Sequence, residues 1–380
     1  MGRYTSIKVF YKNRFVGYAG LVDKAKRGMF IYSDEWRKEG FDISPFALPL
    51  SDQRRIYVTK DNHPTGMFSV FTASLPGKWG SFIQQKFLGQ MGIEDSSMNV
   101  LDRLALAGRS GRGALNYEPA SLIGTDTYNL TLDETAAEIL NMARTGKSDA
   151  LGTLYTKGSM TGGSTPKIVE TIDGEDWIIK FPVRPGEEEK SITEYEYMQC
   201  ASKCGINVAE TRLFGSSNGS SYFGVKCFDR IKNTEGVTLP VHMLSVADIM
   251  EKNWRQPGYD YHDLMKMALV ITKDSREDIE ELFRRMCFNV FANNCNDHMG
   301  KFSFLYDEEA KRWRLAPAYG LRRTNAVIGA RMLYVGGNSM IPSSEDIVNT
   351  GVRAGIPKEK CSQIAEEVET IVRENLKVNG

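Results

Sequence analysis

The chain has 380 residues, 41% hydrophobic and 25% charged, an ordinary globular composition with length enough for two or three domains with real cores. Lys+Arg and Asp+Glu balance at 48 each, so bulk charge offers no argument for binding nucleic acid or an anionic membrane directly. The six cysteines are scattered without C-x-x-C spacing, which argues against a zinc or redox motif of that form and against a disulfide framework; reduced residues packed as small hydrophobes are expected.

The opening residues Met1 to Phe10 lack the apolar region of a signal peptide, and no run reaches the length of a membrane span. A cytoplasmic protein without membrane association is the expectation. Gly2 with Ser6 satisfies the myristoylation pattern, a match too short to carry weight.

Ile7 to Tyr11 reads as a strand, Asn13 to Tyr18 as its hairpin partner and Met29 to Tyr32 as a third strand. Pro45 to Pro49 and Pro64 to Gly66 punctuate loops. A helix over Trp79 to Met91 carries Phe82, Ile83, Phe87 and Leu88 on one face. Gly108-Arg109-Ser110-Gly111-Arg112-Gly113 has the look of a phosphate-cradling loop, but no helix follows it; a tight turn before a strand at Ala114 to Tyr117 fits better. Thr131 with Glu134 forms a capping box that starts a helix through about Ala143, and Gly146 to Gly152 reads as a linker.

Beyond that linker the text is β-rich. A glycine pair, Gly162-Gly163, precedes Lys167 and a strand at Ile168 to Glu170; a turn at Asp173-Gly174 leads to a strand over Trp177 to Phe181 that carries Lys180. A helix over Ile192 to Cys204 carries Glu194, and strands at Glu210 to Phe214 and Tyr222 to Lys226 follow. From about Pro240 the pattern turns helical. Ile279, Leu282, Phe283, Met286, Val290 and Phe291 recur at helical spacing. Leu305-Tyr306 and Trp313 to Leu315 form a hairpin-like pair, and Pro357 opens a last helix with Ile364, Val368, Ile371 and Val372 on one face.

Phosphoryl transfer needs a held triphosphate, cations on developing charge, metal bridging the phosphates and an acceptor for the nucleophile's proton. The pair Gly162-Gly163 lets backbone N–H groups approach phosphate oxygens, and Lys167 and Lys180 add point charges. Asn294 to Phe304 reads N-C-N-D-H-M-G-K-F-S-F, and Pro317 to Leu321 reads P-A-Y-G-L. Together these stretches resemble the catalytic and metal loops of the HipA-like protein kinases, the toxin half of bacterial toxin–antitoxin pairs, whose patterns are N-x-D-D-H-x-K-N-x-S-F and P-x-Y-D. Phe228-Asp229-Arg230 matches the F-D-R that ends that family's β-rich lobe. Ser74-Leu75-Pro76, Trp79-Gly80 and the run from Leu101 to Pro119 resemble its N-terminal portion.

The resemblance implies an α+β architecture: a protein-kinase-like two-lobed fold with a β-rich lobe, a helical lobe and an N-terminal α/β subdomain. The corresponding division is 1–119 for the N-terminal subdomain, 120–152 for a helix and linker, 153–235 for a nucleotide-binding lobe and 236–380 for the helical lobe. It implies Gly162, Gly163, Lys167, Lys180, Glu194 and Phe228 as the nucleotide set, with ATP as ligand, and Asn296, Asp297 and His298 as the catalytic loop. The departures fall on working residues. Asn296 stands where the family has its catalytic aspartate, Lys301 where it has a metal-binding asparagine and Gly320 where it has a metal-binding aspartate. Cys227 replaces a common arginine, and Met160 replaces an autophosphorylated serine, with Ser159 and Thr161 adjoining.

A neutral amide cannot take the hydroxyl proton as a carboxylate does, and a lysine ammonium repels Mg²⁺. No metal ligand set is therefore assigned. The leading expectation is a catalytically impaired pseudokinase with a binding or regulatory role. Two alternatives stay open: an active serine/threonine kinase in which Asp297 or His298 compensates, and a pure interaction component that engages a DNA-binding antitoxin. The family's partner would be a small helix-turn-helix protein, with any DNA contact running through it.

Overall fold

The computed structural model describes residues 4–22, 27–51, 53, 55–121, 123–184, 187–217, 219–253, 255–324 and 330–376. Gly2 of the myristoylation pattern lies outside the described residues. The chain divides into two compact units: Met1–Glu188 with Phe214–Leu244 and Asp248–Lys252, and Glu189–Leu213 with Ser245–Ala247 and Asn253–Gly380.

In the first unit, β1 (Ser6–Tyr11), β2 (Arg14–Val22), β3 (Arg27–Tyr32), β4 (Tyr57–Val58) and β5 (Leu115–Glu118) form an antiparallel sheet in the order β4-β3-β2-β1-β5. Alternation sets its faces: Ile7, Val9 and Tyr11 are buried while Ser6 and Lys8 face out. A two-residue turn at Lys12-Asn13, with Lys12 at φ 54°, closes the first hairpin so that Tyr11 pairs with Arg14. Gly108 to Gly113 forms the tight turn that precedes β5.

A second sheet runs β6 (Lys167–Ile172), β7 (Glu175–Lys180) and β9 (Ser221–Lys226), and ends on the last residues of β8 (Thr211–Gly215), Phe214 and Gly215. Ile168, Trp177, Ile179 and Phe181 of this sheet share one core with helices Lys78–Gln90, Leu132–Thr145 and Leu151–Gly158, through Trp79, Ile83, Phe87, Ile139, Met142 and Leu154. The capping box of Thr131 and Glu134 starts the middle helix as the sequence predicts. The predicted linker at Gly146 to Gly152 is instead a short helix–helix connection. Gly146 ends one helix at φ 71°, and the next begins at Leu151. Glu138 accepts from Ser148 Oγ and from the N–H groups of Asp149 and Ala150, fixing the connection just before the second helix.

Helix Lys78–Gln90 starts against the glycine turn. Gly77 N–H donates to Thr161 O at 2.9 Å and Trp79 N–H to Gly163 O at 3.2 Å, while the Trp79 indole donates to Lys167 O at 3.0 Å. Backbone lies where side chains would be: a Cβ on Gly77 would sit 2.3 Å from Gly163 N, and one on Gly80 would sit 2.0 Å from Ser159 O.

In the second unit, helices Tyr261–Ile271, Arg276–Phe291, Ser344–Arg353 and Lys358–Asn375 pack with the hairpin Ser303–Asp307 and Arg312–Leu315. Ile279, Leu282, Phe283 and Met286 are buried along one helix face, as their spacing predicts, and Ile364, Val368 and Val372 along another. All six cysteines are free, and five are buried.

Two glycines of one helix separate close approach from helix propensity. We expect Gly80→Ala to destabilise by roughly 1–3 kcal/mol, because a methyl cannot enter occupied backbone space. Gly89→Ala, whose Cβ would meet nothing within 4 Å, should be neutral or stabilise by up to about 1 kcal/mol. Urea denaturation midpoints of the two variants check the contrast.

Candidate functional site

The loop after helix Arg276–Phe291 is built around one buried carboxylate. Asp297 is fully buried. Its Oδ2 accepts from the Tyr261 hydroxyl at 2.8 Å and from Arg331 Nη2 at 3.1 Å, and its Oδ1 from the Leu333 N–H at 3.3 Å. The same Arg331 nitrogen donates to the carbonyls of Asn289, at 2.9 Å, and Asn294, at 3.0 Å. Asn289 donates through Nδ2 to the Tyr261 oxygen and accepts from Asn294 Nδ2, each at 2.9 Å. Burial pushes the Asp297 carboxyl up, and Arg331, Tyr261 and the Leu333 N–H pull it back. Burial and the adjacent Asp297 charge hold the Tyr261 hydroxyl well above its usual value.

These contacts place Asp297 in the framework of the loop. Its carboxylate is enclosed by the Tyr261, Arg331 and Leu333 donors. Neither Arg331 nor Tyr261 stands out in the sequence, because their roles arise only from contacts 34 and 36 residues away in the chain.

Asn296 and His298 flank this anchor. The Asn296 N–H donates to Thr324 Oγ1 at 2.9 Å, and its side-chain amide makes no hydrogen bond among the described residues. His298 Nδ1 accepts from the Gly300 N–H at 3.1 Å, capping the short turn Met299–Lys301, so the ring proton sits on Nε2. Burial, with Lys301 and Arg255 nearby, lowers the His298 pKa to about 3. A neutral imidazole with so low a pKa is a weak base at neutral pH.

Lys301 and Gly320 meet directly. Lys301 Nζ lies 2.7 Å from the point where a Cβ on Gly320 would stand, and 3.4 Å from the Gly320 carbonyl oxygen. Glu194, buried on helix Glu187–Lys203, brings Oε1 within 3.9 Å of that same point. Tyr319 holds the segment in place: its hydroxyl bonds to Ser303 Oγ at 2.8 Å and donates to the Gly300 carbonyl at 3.2 Å. Mg²⁺ demands near-octahedral oxygen ligands. Here the Lys301 ammonium fills the space beside a residue with no side chain.

The glycine turn belongs to the first unit. Lys167 is buried, its Nζ donates to Gly162 O at 2.6 Å, and its backbone pairs with Lys180 across β6 and β7. Lys180 Nζ lies 5.1 Å from the Phe223 ring centroid. Phe228 sits in the turn that leaves β9. Ser159 and Thr161, which adjoin Met160, are both buried, and Thr161 Oγ1 donates to the Gly158 carbonyl at 2.7 Å. Neither hydroxyl is open to modification in this conformation.

The sequence matches the HipA N-terminal domain over residues 7–118 and the HipA-like C-terminal domain over residues 159–375. The chain belongs to the HipA-like family. A relative from Sinorhizobium fredii (strain NBRC 101917 / NGR234), named "Putative kinase Y4mE", is 24% identical over 343 residues, covering 84% of this chain and 77% of that one. The structure aligns with that of HipA from Shewanella oneidensis MR-1, solved with HipB and its operator DNA, at a TM-score of 0.68, covering 98% of this chain and 92% of that one with 14% identity. The fold is thus the mixed α+β, protein-kinase-like fold of the family. A Helicobacter pylori proinflammatory kinase, CtkA, overlaps 57% of this chain and 88% of its own at a TM-score of 0.38 and 14% identity, too little to support an inference. Among the described residues no helix is long and apolar enough to cross a membrane.

Removing one partner of a buried ion pair leaves an uncompensated charge, at a cost of about 3–5 kcal/mol. We expect Asp297→Ala to lose that much stability by urea denaturation, with Asn296→Asp within about 1 kcal/mol of the wild type. Equal, small effects would remove Asp297 from the framework.

Proposed function

We propose that this HipA-family protein is a catalytically impaired kinase-fold member of a toxin–antitoxin pair, acting by binding or regulation rather than by efficient phosphoryl transfer. The observation that carries this reading is the Lys301 ammonium in the space beside Gly320. The metal loop has exchanged an anionic ligand for bare backbone and a neutral ligand for a cation, and the two changes fit each other. Asn296 adds the loss of a carboxylate base. Compensation by neighbours is poorly supported, since Asp297 is enclosed and His298 is neutral and weakly basic.

The reading puts the phosphates of ATP at the Gly162-Gly163 turn with Lys167. Its partner is a small helix-turn-helix antitoxin. The S. oneidensis HipA was solved with HipB and operator DNA, and the balanced charge of this chain favours DNA contact through such a partner.

Calorimetry of ATP binding with and without Mg²⁺ tests the metal. We expect the ion to change affinity by less than tenfold, about 1.4 kcal/mol; a larger tightening overturns the reading.

A radiolabel transfer assay tests the chemistry. The wild type should transfer phosphate very poorly, and each single reversion should stay nearly silent because base and metal ligands act as one unit. Gly320→Asp alone would set its carboxylate against Lys301 and form an ion pair there. Asn296→Asp, Lys301→Asn and Gly320→Asp together should recover activity, since metal-centred charge stabilisation is worth several kcal/mol of barrier, roughly a thousandfold in rate. Robust metal-dependent turnover by the wild type would establish the active kinase instead.

A further inference from the structure

The turn at Gly108 to Gly113 brings a second cation to the glycine pair. Arg112 Nη1 lies 2.6 Å from the point where a Cβ on Gly162 would stand. Its one side-chain hydrogen bond among the described residues is from Nη2 to the Leu75 carbonyl, long at 3.5 Å. Its Nε is buried without an acceptor. No carboxylate among the described residues pairs with it. Lys167 stands on the neighbouring glycine, with Nζ 3.3 Å from the position of a Cβ on Gly163. The backbone N–H groups of Gly162, Gly163, Ser164 and Thr165 donate to no acceptor among the described residues.

Two cations and a row of unused donors therefore surround a segment of chain with almost no side-chain bulk. The turn itself is open to solvent at Gly163 and Ser164, whereas the Arg112 Nε is a buried donor without an acceptor, a kind that in native proteins generally meets water or an ion. A glycine-rich run of free N–H groups is a known form of anion-binding concavity, and a guanidinium fork matches two oxygens of a phosphate. We propose that Arg112 is a phosphate-binding residue, supplied by the N-terminal domain to an oxyanion held over Gly162-Gly163 together with Lys167. The ligand class is a polyphosphate, as on a nucleoside triphosphate. The proposal rests on the reading above only for the source of that phosphate, nucleotide or inorganic.

The competing view is that Arg112 merely props the turn. Calorimetry of the full chain at one fixed salt concentration separates the two, with ATP and inorganic tripolyphosphate as probes and a melting temperature for each variant. Arg112→Gln should weaken both probes by about tenfold or more, as expected for loss of a charge-assisted contact, while melting close to the wild type. Unchanged affinity for both overturns the proposal and leaves ATP binding intact. Tripolyphosphate bound through Arg112 with no ATP binding upholds the phosphate site and removes the nucleotide. A wild type that binds neither removes both. If Arg112→Gln does not fold, Arg112→Lys decides: it keeps the charge, loses the fork and should bind tripolyphosphate several-fold more weakly, and equal affinity overturns the assignment.

Discussion

The helical unit depends on the buried pair of Asp297 and Arg331. Taking both charges out of water costs several kcal/mol per ion, and the pair is tolerated because both Asp297 oxygens and the Arg331 Nη2 are hydrogen-bonded, with the Arg331 Nε left buried without an acceptor. Arg331 reaches the carbonyls of Asn289 and Asn294 as well as the carboxylate, so it ties a helix end to the loop that follows. Tyr261 brings a second helix to the same oxygen. Asn296 and His298 project from a loop already held on both sides of each residue. The groups that fix the loop, Asp297, Arg331 and Tyr261, are thus different from Asn296 and His298 on either side.

The exchange at Lys301 and Gly320 follows the same logic. A lysine in that place needs room, and a glycine at φ 65° provides it. The ammonium of the one occupies the space left by the missing side chain of the other. The buried Glu194 carboxylate near the same point gives the Lys301 ammonium a favourable field.

Bare glycine recurs at the other unit's site for a different reason. Gly77 and Gly80 lack side chains because the turn from Ser159 to Gly163 occupies that space, and the Arg112 guanidinium lies where a Cβ on Gly162 would stand. The N-terminal domain and the β-rich sheet share one hydrophobic core across this contact. The glycine turn is consequently shaped by residues far from it in sequence, and what it can bind depends on them.

Much of the architecture could be read from local pattern. The alternation of Ile7, Val9 and Tyr11, the box of Thr131 and Glu134, and the helical spacing of Ile279 to Met286 all specify elements through forces that act within a few residues. The motif from Asn294 to Phe304 likewise marked the family, and with it the three altered positions. What each side chain touches there depends on distant contacts. Asp297 reads as a spare carboxylate beside a catalytic position until Arg331 and Tyr261 close on it. Gly146 to Gly152 reads as a linker until Glu138 binds the backbone of the connection and the next helix begins at Leu151. Arg112 reads as part of a turn until Gly162 is folded against it. Hydrophobic period and capping are written in neighbouring residues, whereas the charge, burial and partners of a site come from whichever segments the completed fold brings together.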